Sequence, residues 1–172
     1  MAKFVEIHTE NQDAIQASTA MSIETDIKQK SVFKSPYERL AVNLMFTNNW
    51  LCDQQMQALK PFGITLQQYN VLRILRGQHP NPVKVADITE RMLDKMSNAS
   101  RLVDKLLAKE FVQRTECPND RRAVDVVITE KGLDLLKKLE KVQGDWQKSL
   151  HTLTVEEVNL VSQLLDKLRS SE

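Results

Sequence analysis

Five polar residues, Ser97, Asn98, Ser100, Arg101 and Lys105, are interleaved with an apolar set, Ala99, Leu102, Val103 and Leu106. At helical spacing the two sets fall on opposite sides of one short helix, over about Ser97 to Lys109. The outward set has the chemistry that reads nucleic acid. Arg forks onto guanine, Asn forks onto adenine, and Ser or Lys holds phosphate oxygens. A bare helix also fits the major groove of B-form DNA. Further on, Cys117-Pro118-Asn119-Asp120-Arg121-Arg122 reads as a turn. It is flanked by Val112 on one side and by Val124, Val126 and Ile128 on the other, alternating with polar residues as half-buried strands do. The result is a hairpin whose tip carries Asp120, Arg121 and Arg122. A narrow arginine-bearing arm suits the minor groove, whose negative potential attracts it. The competing reading is a solvated helix face and a charged turn. Residues 84–122 hold nine Lys/Arg and seven Asp/Glu, an excess too small to decide by charge alone.

Other chemistries are poorly supplied. His8, His79 and His151 have no ligand-type neighbour three or four residues away, so no metal site is expected. There is no Gly-rich phosphate loop and no Gly-x-Ser-x-Gly elbow, so neither a cofactor nor an enzyme activity is expected. Cys52 falls on an apolar helical seam and reads as a small hydrophobe. Cys117, close to Arg121 and Arg122, is the candidate redox thiol, because neighbouring cations favour the thiolate. Phe46, Trp50 and Tyr69, with Tyr37 and Trp146, are candidates for an aromatic ligand pocket between the long helices and the hairpin-bearing region. Ordinary core packing is the plainer role for them.

The elements that must carry these residues are mostly helical. The chain has 172 residues, and its four glycines and five prolines are too few for a sandwich or a propeller. Net charge is +1, which excludes a generally basic nucleic-acid coat but not a local patch. No apolar run reaches the roughly 20 residues of a membrane span, and the first residues lack a signal-peptide core. A cytoplasmic protein is expected. Residues 1–34 carry four Lys and five Asp/Glu with weak periodicity, and Ala14 to Ile23 is the one stretch there that suits a short helix. Ser35-Pro36-Tyr37-Glu38 reads as a capping box opening a long helix with two apolar seams, stopped by Pro61 and Gly63. Thr65-Leu66-Gln67-Gln68 opens the next in the same way, with Tyr69, Leu72 and Leu75 inward and Gly77 at its end. A loop at 79–82 leads to a short helix from about Val85 to Met92, and a break near Asp94 precedes the polar-faced helix. After the hairpin a long helix starts near Glu130, with Leu135, Leu139, Val142, Trp146 and Leu150 along one side. Thr154-Val155-Glu156-Glu157 is a third capping box and opens a last helix, with Val158, Val161, Leu165 and Leu168 as its inner face.

In this order the elements resemble the MarR family of transcription regulators. The resemblance rests on Ile64 to Leu75 (ITLQQYNVLRIL), Ser97 to Val112 (SNASRLVDKLLAKEFV) and Asn119 to Gly132 (NDRRAVDVVITEKG). The last is the most specific: Asp120 and Arg122 fill the family's Asp-x-Arg wing signature, followed by alternating apolar residues and Thr-x-x-Gly. The similarity runs from about Tyr37 to Leu168. It implies a mainly α (α+β) fold, a winged helix-turn-helix with a two-stranded β-wing and long terminal dimerisation helices. Residues 1–34 would be an N-terminal extension and 35–172 the MarR-like domain, with the winged helix-turn-helix at 84–128 and dimerisation helices at 35–60 and 130–172. It further implies a homodimeric repressor on an inverted-repeat operator in double-stranded DNA. Ser97, Asn98, Ser100, Arg101 and Lys105 would contact DNA from the helix, and Asp120, Arg121 and Arg122 from the wing. Small aromatic acids, oxidants or metals are implied as regulators. Two alternatives stay open: a winged-helix protein-interaction module without DNA binding, and a cysteine-based redox regulator. One position departs from the family, which often has Gly between the recognition helix and the wing to accept a left-handed backbone. Here Glu110 stands there, at a cost of ~1 kcal/mol if that conformation is kept.

Overall fold

The computed structural model describes residues 22–116, 124–148 and 150–170. The chain divides into two compact units, one reaching to Cys52 and the other beginning at Asp53. In the first unit, Ser22 accepts a hydrogen bond from the Thr25 amide and so caps a single helical turn, α1 (Ile23–Asp26), whose Ile23 is buried. Helix α2 (Pro36–Leu59) follows and continues through the division. The expected Ala14–Ile23 helix does not run through Ser22, which is extended and starts a new helix instead, and residues 14–21 lie outside the described residues.

The start of α2 differs from a capping box. Ser35 Oγ accepts from the Glu38 amide at 3.1 Å, as a cap should. Glu38 Oε2 instead accepts from the Lys34 amide at 2.7 Å, one residue further back than the reciprocal bond of a box. The two seams of α2 are only partly covered in the single chain, with Leu44, Leu51 and Cys52 half-buried. Leu40, Met45, Phe46, Trp50 and Met56 are exposed, and Leu59 is its one buried residue.

The second unit is built around a continuous apolar core. A single 3₁₀ turn (Lys60–Phe62) ends at Gly63, whose φ of 66° is the left-handed stop that glycine supplies without strain. Helix α3 (Leu66–Arg76) begins with a true capping box between Thr65 and Gln68. It buries Val71, Leu72, Ile74 and Leu75, a wider stripe than the predicted one. Strand β1 (Val83–Lys84) runs straight into α4 (Val85–Arg91), and α5 (Ala99–Leu107) follows. Strands β2 (Val112–Glu116) and β3 (Val124–Ile128) pair antiparallel from Val112↔Ile128 to Glu116↔Val124. β1 adds to the other edge of β3 through Val83↔Val126, so the sheet has three strands in the order β1-β3-β2. The two-stranded wing expected from the sequence thus gains a third strand. Two residues between Pro82 and a helix are too few to show the alternation that marks a strand.

Helix α6 (Glu130–Lys148) buries Gly132, Leu135, Leu136, Leu139 and Gln143. Val142, Trp146 and Leu150, expected inward, are half-buried. The inward face is rotated because Gly132 sits against the Phe111 carbonyl, where a Cβ would lie 2.3 Å from the oxygen. Helix α7 (Val155–Arg169) opens with a capping box between Thr154 and Glu157, as expected. Its inner face is not covered: Val158, Val161 and Leu168 are exposed, Leu165 is half-buried, and α7 has no buried residue.

Candidate nucleic-acid interface

The polar helix of the sequence is α5, and it starts two residues later than its pattern suggested. The reason lies in the turn before it. Asp94 Oδ1 accepts from the Met96 amide at 3.0 Å, and Asp94 Oδ2 accepts from Ser97 Oγ at 2.7 Å. These bonds hold the Asp94 carboxyl below the usual aspartate range, the Ser97 hydroxyl contributing most. The Asn98 side-chain oxygen then accepts from the Arg101 amide at 3.0 Å and caps the helix. Ser97 and Asn98 therefore precede the helix rather than lie on its face. The oxygen that a fork onto adenine would use is the one that Asn98 spends on the cap.

Ser100, Arg101 and Lys105 are exposed on α5, while Ala99, Val103 and Leu106 enter the core on its other side. Asp104 lies on the outer side too and is paired with Arg114 of β2, which ties the helix to the wing strand. The turn is also anchored from behind, where the Leu93 amide donates to Asn70 Oδ1 of α3 at 2.9 Å. Helices α4 and α5 thus form a helix-turn-helix backed by α3.

Behind the wing, Glu110 has a φ of 62°, so the left-handed conformation is kept without glycine. The Thr-x-x-Gly segment explains how. Thr129 Oγ1 donates to the Glu110 carbonyl at 2.7 Å and accepts from the Gly132 amide at 3.2 Å, so one hydroxyl joins the strained turn to the start of α6. Lys131 Nζ reaches Glu110 Oε2 at 2.5 Å and lies 5.6 Å over the Phe111 ring. The ammonium lowers the Glu110 carboxyl below its usual range. Sequence reasoning identified the signature but missed this role. Its signal was available, since Thr three residues before Gly at the start of a helical pattern reads as a cap.

The wing-tip residues Asp120, Arg121 and Arg122, and the candidate thiol Cys117, lie outside the described residues. Cys52 is half-buried, its Sγ 4.0 Å from Asn48 Oδ1. Of the aromatic candidates, Phe46 and Trp50 belong to the first unit and are 38% and 41% exposed. Tyr69 belongs to the second unit. Its hydroxyl accepts from Arg73 Nη1 at 2.9 Å, and its ring lies under the same guanidinium. A groove of about 400 Å³ in the first unit is lined by Glu24, Val32, Phe33 and Arg39 among others, not by these aromatics. Among the described residues no group of three or more His, Cys, Asp or Glu could hold a metal ion, and no helix is long and apolar enough to cross a membrane.

The arrangement of α3 to β3 coincides with the match of the MarR family model, residues 64–124. The crystal structure of a MarR transcription factor from Planctomyces limnophilus is 30% identical to this chain, with a TM-score of 0.61 over 78% of this chain and 98% of that one. The chain belongs to the MarR family. Its fellow member in Escherichia coli, the transcriptional repressor MprA, is 25% identical over 155 residues, 85% of this chain and 88% of MprA. An E. coli MarR mutant solved with operator DNA shares the fold at a TM-score of 0.70 and 24% identity, over 80% and 99% of the two chains. This MarR-family chain is accordingly a winged-helix protein of a family of DNA-binding transcription regulators.

Proposed function

We propose that this chain is a repressor that binds an inverted-repeat operator as a homodimer. The observation that carries the reading is the outer face of α5, where Ser100, Arg101 and Lys105 are exposed on a helix held from behind by the core. Arg101 reads a base edge, Ser100 and Lys105 hold phosphates, and the Asn98 cap fixes the helix start that presents them. The wing residues Asp120, Arg121 and Arg122 add contacts in the flanking minor groove. Two copies place two such helices about one turn of DNA apart, roughly 34–36 Å. A small aromatic ligand that favours a different spacing then releases the DNA by population shift. Cys117 is the candidate for a thiol-based alternative. MprA is named a repressor, and the likeness to it supports the same direction of control here.

Selection of bound sequences from a random duplex pool tests the reading. The expected result is enrichment of two inverted half-sites with centres about 10 base pairs apart. A pool that stays unenriched favours the protein-interaction module instead.

A further inference from the structure

Leu93 and Met96 are 88% and 94% exposed, although both belong to one tightly bonded turn. Single exposed apolar residues are ordinary on protein surfaces. Two in a turn held by four hydrogen bonds are less so, because the turn keeps them from folding back. The Leu93 amide is bonded to Asn70, the Met96 amide and Ser97 hydroxyl are bonded to Asp94, and the Ser97 amide donates to the Asp94 carbonyl. The charged residues of the same turn, Asp94 and Lys95, are exposed as well, but their charged atoms are bonded back onto it. Both Asp94 oxygens accept bonds within the turn, and the Lys95 ammonium donates to the Glu90 carbonyl. Leu93 and Met96 are therefore the exposed side chains of the turn that no hydrogen bond holds to it, and the turn leads directly into the first turn of α5, where Ser100 and Arg101 are exposed.

We propose that Leu93 and Met96 read thymine C5-methyl groups in the major groove beside the α5 contacts. This inference rests on the DNA-binding reading above. The N-terminal residues of a recognition helix meet base edges while the preceding helix crosses the DNA backbone, so the turn that joins the two helices enters the groove beside those residues. The thymine methyl is the apolar feature of that groove and is met by apolar side chains. Met96, unbranched and polarisable, adapts to a methyl from several directions. A turn whose backbone is already bonded limits the ordering cost at binding to that of the two side chains.

The test uses the full chain and an operator recovered from the random pool. Each thymine is replaced in turn by deoxyuridine, which removes only the methyl. Wild-type protein is expected to lose about fourfold in affinity per methyl contacted, at one or two positions in each half-site. The Leu93→Ser, Met96→Ser double variant should bind more weakly and lose that sensitivity at the same positions. It should keep the response to base changes opposite Arg101. Both side chains are exposed, so the variant is expected to fold. If it does not, the single variants Leu93→Ser and Met96→Ser are each scanned in the same way, and each should lose sensitivity at its own position. A wild type with no uracil-sensitive position, or a variant with an unchanged uracil profile, overturns the inference while leaving DNA binding intact. A pool that yields no site overturns the parent reading first. A variant that changes self-association but not the uracil profile makes the turn a contact between copies, and the inference falls.

Discussion

Arg101 leaves the first turn of α5 beside the Asn98 cap, so its backbone is among the best-anchored parts of the turn. A base contact from so fixed a position carries specificity. Arg101→Ala is expected to lose ~1–3 kcal/mol of discrimination between operator and random duplex, measured by competition binding. Equal weakening on both DNAs would make it a phosphate contact. A second residue-level expectation concerns the first unit. Arg39 Nε meets Glu24 Oε1 at 2.5 Å and holds the Glu24 carboxyl at about 2, against an ordinary 4.5. Because the folded value is depressed, the stabilisation is complete above pH ~4.5 and is lost as pH falls toward 2. The NMR titration of the Glu24 carboxyl should have a midpoint near 2, and Arg39→Ala should return it towards 4.5. A wild-type midpoint near 4.5 would show that the pair does not persist in solution. Residue types were legible at α5 because an apolar stripe of period 3.6 leaves a definite outer face. Asn98 was ambiguous, since asparagine both caps helices and reads adenine. Only the position of the helix start separates the two roles.

Elements are joined here through the backbone more than through charge. Thr129, Glu110 and Gly132 form one node between the end of α5, the wing strands and α6. A Cβ at position 132 would lie 2.3 Å from the Phe111 carbonyl oxygen and 2.7 Å from Ile128 Cγ1. The first of these is backbone and cannot swing away. Gly132→Ala is therefore expected to destabilise the second unit by ~1–3 kcal/mol, although alanine favours helices, and to lower the urea midpoint accordingly. A raised midpoint would mean that helix propensity outweighs the clash. At this scale the sequence is a partial guide. Capping boxes at Thr65 and Thr154 are local, so they could be read correctly. The register of α6 depends on the close approach of Gly132 to Phe111, 21 positions earlier in the chain, and no local period contains that contact. β1 escaped notice for a related reason, as its pairing with β3 is its only strand-like property.

At the scale of the whole molecule the open question is what covers α7. Val158, Val161, Leu164 and Leu168 recur at spacings of three and four, and all are exposed in the single chain. An exposed apolar row of this length calls for a partner surface. A second copy is the simplest occupant, because a two-fold interface lets one row bury itself against its own image. The wild type is expected to sediment as a dimer at micromolar concentration. Val161→Lys puts a charge in the middle of the row, and two-fold symmetry would introduce it twice. Neither lysine would gain an opposite charge from its own image. The variant's dimer constant should weaken at least 100-fold, or about 2.8 kcal/mol, at 1.4 kcal/mol per tenfold. Position 161 is exposed in the monomer, so its helix content by circular dichroism should be unchanged. Operator binding should fall with the dimer, since a single recognition helix meets only one half-site. A Val161→Lys protein that remains dimeric with full operator affinity would place the α7 row outside the interface.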